Sequence, residues 1–175
     1  MDAIKREKIQ KMAEKIHYKL DLEIPVNLKA VSKEIGGEII EEDLPKEIDA
    51  RIEKSGDAFR IIVNRNKSNT RNNFSIAHEL GHLFLHMGYI FNPDRWNKVE
   101  RYTDSVYHRF GHDAEELEAN EFAAAFLMPK GKYRQVVKEF TEEGLCDLPK
   151  VARRFGVSEE AALNRGRWLG ILSWE

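Results

Sequence analysis

The stretch from about residue 68 to residue 86 constrains the fold of this chain more than any other segment. At helical periodicity its apolar side chains cover most of the circumference, which is a pattern that a surface helix does not show. The sequence therefore predicts a long helix that runs through the core of the domain. Its apolar members are Phe74, Ile76, Ala77, Leu80, Leu83, Phe84 and Leu85.

This predicted helix contains the pattern His78-Glu79-Leu80-Gly81-His82. Histidines four residues apart lie on one helical face, so both imidazoles can reach a single Zn²⁺ at about 2.0–2.1 Å. Glu79 projects about 100° around the helix, beside the metal, where a carboxylate can take a proton from water whose pKa zinc lowers to about 7. We expect one Zn²⁺ per chain, with His78 and His82 as ligands and Glu79 as the catalytic residue. The alternative is a pair of ordinary core histidines, but burying both beside a carboxylate without a shared partner is costly.

Catalytic zinc usually takes a third protein ligand. A second strong helix is predicted from residue 113 to residue 129, with a buried face formed by Ala119, Phe122, Ala123 and Phe126. On this periodicity Glu118 and Glu115 fall on the buried face, whereas Glu116 and Glu121 are expected to point elsewhere. A buried carboxylate is costly unless it is paired or bound to metal, so Glu118 or Glu115 is the candidate third ligand.

His86 extends the first helix by another four residues. Helical drift turns it about 80° from His78, so we expect it to end the helix or to support the site rather than to bind the metal.

Short segments rich in Ile and Val, at residues 38–42, 48–54 and 58–64, predict strands, and Ser55-Gly56-Asp57 supplies a turn between the last two. We therefore predict an α+β fold in which a small antiparallel sheet packs on the HExxH helix. Further helical patterns near residues 133–140, 149–155 and 158–169 predict a helical C-terminal segment. The expected organisation is a metallopeptidase domain over 1–130 and a helical subdomain over 131–175.

Residues 88–112 contain many aromatic side chains and no sustained periodicity. Long irregular segments in compact domains are often functional loops. His108, His112, Tyr102 and Tyr107 are therefore candidates for contacting substrate or donating to a developing oxyanion.

The charge balance excludes several classes of partner. Lys and Arg number 28 against 30 Asp and Glu, a net charge of −2, so there is no electrostatic footprint for nucleic acid or an anionic membrane. The longest apolar run, 122–128, is far below the roughly 20 residues that span a bilayer, and the N-terminus is too charged for a signal peptide. We expect a cytoplasmic protein. The single Cys146 excludes an internal disulfide and a zinc site built from several cysteines.

Residues 151–158, followed by EEAALNR, have the spacing of a helix-turn-helix. Glu159 and Glu160 oppose DNA binding, because they occupy the first turn of the would-be recognition helix. Residues 150–168 nevertheless carry five cations and two anions, a net charge of about +3. Nucleic acid is not the expected partner. The alternative function is a non-catalytic, zinc-stabilised regulator or toxin–antitoxin partner, with DNA binding through this segment as one option.

The motif FSIAHELGHLFLH at 74–86, followed by ELEANEFAAAFLMP at 116–129, resembles the ImmA/IrrE-type zinc metallopeptidases. The likeness extends over most of residues 25–170. It implies a minimal gluzincin-like fold with His78, His82 and Glu118 as zinc ligands and Glu79 as the catalytic carboxylate. It also implies a substrate: a helix-turn-helix transcriptional repressor, often encoded beside the peptidase in a mobile element, whose cleavage derepresses its genes. The aromatic insert and Gly166 depart from the family pattern.

Overall fold

A computed structural model describes residues 1–99 and 113–174 of the chain. The elements are, in chain order, α1 (Ala3–Lys19), α2 (Leu28–Glu34), β1 (Gly37–Glu42), β2 (Ala50–Ser55), β3 (Ala58–Asn64), α3 (Asn69–Leu85), α4 (Pro93–Lys98), α5 (Asp113–Leu127), α6 (Lys130–Glu139), β4 (Thr141–Glu142), β5 (Leu145–Cys146), α7 (Leu148–Phe155) and α8 (Glu159–Trp168). The predicted α+β class is confirmed. One regular element, α4, lies in the segment that we expected to be irregular.

The three predicted strands are present, but the sheet is mixed rather than antiparallel. Its order is β1-β3-β2, with β2 antiparallel to β3 and β1 parallel to β3. The connection after β1 crosses to the far edge, so the β2–β3 hairpin places β3 in the centre. Asn64, 1% exposed, holds this connection: its side-chain amide donates to the carbonyls of Leu44, Pro45 and Ile48 at 3.1, 3.2 and 2.9 Å.

The long helix predicted through the core is α3. Ser68 caps its start by accepting a hydrogen bond from the Arg71 amide, as serine at an N-cap commonly does. The helix contacts β2 and β3 on one side and α5 on the other. A Cβ added at Gly81 would lie 2.9 Å from the Cα of Ala119, so the glycine lets α3 and α5 approach closely.

Helix α5 is buried on two sides, because α1 packs against it opposite α3. The C-terminal helices are joined to it by Arg165 of α8, whose Nε donates to the Met128 carbonyl at 3.0 Å. A Cβ at Gly166 would lie 2.5 Å from the side chain of Leu172 and 2.8 Å from the Tyr133 hydroxyl, so a larger residue there requires these side chains to shift. The division of the chain at residue 130 stays a prediction.

Across residues 1–99 and 113–174, the helices are too short or too polar for any of them to cross a bilayer.

Candidate metal centre

Three side chains converge where α3 meets α5. The Nε2 atoms of His78 and His82 lie 3.0 Å apart, and each lies 3.3 Å from an oxygen of Glu116. Donor atoms around a tetrahedral zinc ion, each about 2.0–2.2 Å from it, are separated by about 3.3–3.6 Å. The nitrogen and oxygen atoms are also of the kind that zinc prefers. The geometry and the chemistry of these residues therefore fit a zinc ion.

The carboxylate in this cluster is Glu116, whereas the periodicity favoured Glu118 or Glu115. Glu116 lies one turn before Ala119 and Asn120, on the stripe of α5 that faces α3. Glu118 lies on the neighbouring stripe, where one oxygen pairs with Lys5 of α1 and the other lies 3.3 Å from His86 Nε2. The periodicity argument assumed one buried face, whereas α5 has two. Glu115 also lies outside the cluster formed by the described residues.

The ionisation of Glu116 favours metal binding. Burial opposes the charged form, but hydrogen bonds and charge interactions with His78 and His82 outweigh it and hold the pKa of Glu116 well below its usual range. The carboxylate is therefore ionised at neutral pH, which is the form that coordinates a cation.

Asn120 orients His78, a role that the sequence analysis did not assign. His78 Nδ1 lies 2.9 Å from the Asn120 side-chain oxygen. We assign the proton to Nδ1, which donates to this oxygen, because the Nε2 lone pair then points toward Glu116. The spacing could have indicated the role: Asn120 is four residues after Glu116, on the same helical stripe.

His82 is in contact with another imidazole. Its Nδ1 lies 2.9 Å from Nδ1 of His86, and both rings are buried. Burial, together with the charge of His82, lowers the pKa of His86, which favours a neutral ring at neutral pH. His86 thus contacts a candidate ligand without joining the ligand cluster.

Glu79 follows His78 on α3 and is 3% exposed. The structure thus buries the proposed catalytic carboxylate on the helix that carries both histidines. The other candidates for substrate contact, Tyr102, Tyr107, His108 and His112, lie outside the described residues.

A cavity of about 530 Å³ lies between α1, α3, α5 and α8, and its lining includes none of His78, Glu79, His82 and Glu116. Asn120, which bonds His78, also lines this cavity, and so do the partly exposed apolar side chains of Phe74, Leu117 and Trp168. The space is large enough to receive side chains of a bound peptide.

The helix-turn-helix spacing of the C-terminal segment is realised by α7 and α8. Gly156 adopts the left-handed conformation at φ +67°, and Ser158 caps α8 by accepting from the Ala161 amide. Arg165, however, is 2% exposed, so one of the five cations of this segment points into the core. The expectation that nucleic acid is not a partner stays a prediction.

Comparison with known proteins identifies relatives of this arrangement. The model of a protein family described as the IrrE N-terminal-like domain matches residues 32–166. Among solved structures, a Mycobacterium tuberculosis transcriptional regulator is similar at TM-score 0.63 and 18% identity over 90% of this chain. The chain spans 46% of that protein, so the likeness concerns the fold of that part alone. No curated protein sequence matches the chain.

Proposed function

Because the chain belongs to the IrrE N-terminal-like domain family, we propose that it is a zinc-dependent endopeptidase. The observation that carries this proposal is the convergence of His78, His82 and Glu116 beside the buried Glu79. In the proposed site the first three residues bind one Zn²⁺. Glu116 thereby replaces Glu118 in the ligand set that the sequence alone implied.

Each residue has a distinct task in this proposal. A bound zinc ion supplies Lewis acidity that polarises a peptide carbonyl and acidifies water. Glu79 takes the proton of the attacking water and delivers it to the leaving amine, which splits the peptide bond without a covalent enzyme intermediate. Asn120 holds the His78 ring in place, and Glu79, which is 3% exposed, is shielded from bulk water.

We propose a helix-turn-helix transcriptional repressor as the substrate, cleaved in the cytoplasm so that its genes are derepressed. The resemblance of the two motifs to ImmA/IrrE-type peptidases supports this choice. The cavity lined by Asn120 supports a peptide substrate more generally, since apolar and polar groups line it together.

The test compares the wild type with Glu79→Gln, each loaded with zinc and incubated with a purified repressor encoded beside the gene. We expect about one zinc per chain in both proteins. Only the wild type should cleave the repressor, because the glutamine side chain of the variant cannot act as a base that takes a proton from water. A wild type that binds zinc but leaves every neighbouring repressor intact would support the alternative, a zinc-stabilised regulator without catalysis. A wild type that binds no zinc would exclude both functions.

A further inference from the structure

A chain of polar contacts leads away from His82 and ends on the N-terminal helix. His82 Nδ1 contacts His86 Nδ1 at 2.9 Å, and His86 Nε2 lies 3.3 Å from Glu118 Oε2. The other oxygen of Glu118 forms an ion pair with the ammonium group of Lys5. Three helices, α3, α5 and α1, thus contribute to one continuous series of contacts.

Most of this series is buried. His82, His86 and Glu118 are 0%, 6% and 7% exposed, and only Lys5 is open to solvent. Polar groups in such a position are costly unless their hydrogen bonds are satisfied. The series satisfies them in order, which indicates a specific arrangement rather than incidental packing.

The direction of each hydrogen bond follows from the two ends of the series. If His82 binds a metal through Nε2, its neutral ring carries the proton on Nδ1 and donates it to His86 Nδ1. His86 must then carry its own proton on Nε2, from which it donates to Glu118. The Glu118 carboxylate only accepts hydrogen bonds, and the Lys5 ammonium compensates its charge. Binding of a metal by His82 therefore fixes which ring nitrogen carries the proton in both His82 and His86.

We propose that His86, Glu118 and Lys5 are positioning residues that orient His82 for metal binding, so that helix α1 forms part of the support of the metal centre. This inference rests on the metal site of the proposed function. Helix α1 lies outside residues 32–166, the part of the chain that the family model matches. The support is therefore assembled partly from outside the matched domain.

The competing explanation is that His86 only fills space between α3 and α5. Two substitutions separate the explanations. His86→Phe keeps a planar ring but removes both hydrogen bonds, whereas His86→Gln can accept from His82 with its oxygen and donate to Glu118 with its amide. A space-filling role is served better by Phe, and a positioning role by Gln.

The measurement is the zinc dissociation constant, obtained by competition with a chromogenic chelator, with the absorption spectrum of the Co²⁺-loaded protein as a second readout. We expect His86→Phe to weaken zinc binding about 10–100-fold, as loss of a partner behind a metal ligand usually does. His86→Gln should retain wild-type affinity within about threefold and preserve the Co²⁺ spectrum. Glu118→Leu, which removes the oxygen that accepts from His86, provides the same test if His86→Phe does not fold.

The contribution of α1 is tested by Lys5→Met, with Lys8→Met on the same helix as the control. Both lysines are exposed, but Lys5 pairs with Glu118. We expect Lys5→Met to weaken zinc binding several-fold and Lys8→Met to leave it unchanged. Equal affinities for these two variants would remove α1 from the proposal.

Zinc affinity equal to that of the wild type in His86→Phe, or in Glu118→Leu where that variant replaces it, would overturn the inference as a whole. These outcomes differ from failure of the proposed function. A wild type that binds zinc but cleaves no repressor refutes the peptidase and leaves the affinity comparison intact, whereas a wild type that binds neither Zn²⁺ nor Co²⁺ overturns both.

Discussion

Two of the carboxylates of helix α5, five residues apart, are surrounded in different ways. Glu116 lies against the imidazoles of His78 and His82 on the side that faces α3. Glu121 is held by two guanidinium groups: its oxygens lie 3.2 Å from Arg6 Nε and 3.6 Å from Arg165 Nη1. Gln10 adds a hydrogen bond to Glu121 at 2.6 Å.

The difference separates a centre suited to metal from a structural ion pair. Guanidinium groups are permanent cations that offer no lone pair, so they neutralise Glu121 but cannot share a metal ion with it. Imidazoles offer such a lone pair when they are neutral, so the Glu116 cluster can take up a divalent cation. Two acidic side chains on one helix can thus be buried to a similar extent, one in a candidate metal site and the other in a structural ion pair. The residues that contact each carboxylate distinguish the two cases.

The sharpest test of this comparison is the pair Glu116→Gln and Glu121→Gln. A four-ligand structural zinc site contributes about 10–16 kcal/mol, so loss of one ligand should cost roughly 3–4 kcal/mol, or about 100- to 1000-fold in affinity. We expect that loss in Glu116→Gln, with no change of zinc affinity in Glu121→Gln. Isothermal titration of the metal-free proteins with zinc measures both.

Glu118→Gln completes the series, because the sequence favoured that residue as a ligand. A loss in Glu118→Gln that exceeds the loss in Glu116→Gln would return the ligand role to Glu118 and contradict the comparison.

For the ion pair around Glu121, we expect a substitution to lower the stability of the protein without weakening zinc binding. Arg165 is buried and also approaches Glu14 at 3.5 Å. Removal of one member of a buried ion pair typically costs 3–5 kcal/mol, and Arg6 still compensates Glu121, so we expect Arg165→Met to lower the free energy of unfolding by about 3 kcal/mol. Urea denaturation measures it.

Arg154→Met, an exposed change on α7, is the matched control and should stay within about 0.5 kcal/mol of the wild type. If Arg165→Met binds less than one zinc per chain while remaining folded, the two clusters are not independent.

The sequence was sufficient for the part of the site that depends on a single helix. The spacing of His78 and His82 places both on one face of α3 whatever the rest of the chain does, and the apolar periodicity predicted that helix within one residue at each end. The strands of the sheet were also predicted from their local composition.

Features that depend on two elements were predicted less well. Periodicity shows that a residue of α5 is buried but not which neighbouring helix covers it. It therefore favoured Glu118 as the partner of the two histidines, whereas the structure brings Glu116 to them. The parallel pairing of β1 was missed for a similar reason, because strand order depends on how the 43–49 connection crosses the sheet. Asn64, which holds that connection, has no local signal.

A smaller effect is expected from Gly81→Ala, which separates α3 from α5 on the histidine side alone. The added methyl group would meet the backbone of Ala119 at 2.9–3.1 Å, and backbone cannot rotate away. We expect a loss of about 1–3 kcal/mol in the free energy of unfolding, together with weaker zinc binding because Glu116 moves away from His78 and His82.

Gly131→Ala in α6 provides the control, since its Cβ would lie at an ordinary 3.4 Å from the Tyr18 hydroxyl. That change should be neutral or stabilise the protein by up to about 1 kcal/mol. Gly81→Ala with wild-type stability and zinc affinity would show that the close approach of α3 and α5 does not position the ligands.

The smallest expected effect is a pH dependence of stability that comes from a buried imidazole on the opposite side of α5. It contrasts a structural histidine with the histidines of the metal centre. His17 of α1 is fully buried and its Nδ1–H donates to the Phe126 carbonyl at 2.9 Å. Burial lowers the pKa of His17, and nearby Lys132 lowers it further, against weaker opposing effects that include Glu14. The unfolded chain therefore binds a proton more readily than the folded one. The free energy of unfolding should fall as the pH drops from about 6.5 toward the lowered pKa of His17, and it should be independent of this residue above about 6.5.

His17→Gln isolates this contribution, because the amide keeps the hydrogen bond to Phe126 but does not titrate. Urea denaturation of the metal-free protein between about pH 7.5 and about pH 5.5 should give a shallower pH dependence for the variant than for the wild type. Using the metal-free state in both proteins cancels the titration of His78, His82 and His86 from the difference. Identical slopes would mean that folding leaves the pKa of His17 unchanged, and the contrast between a buried structural imidazole and a ligand imidazole would then have to rest on the metal centre alone.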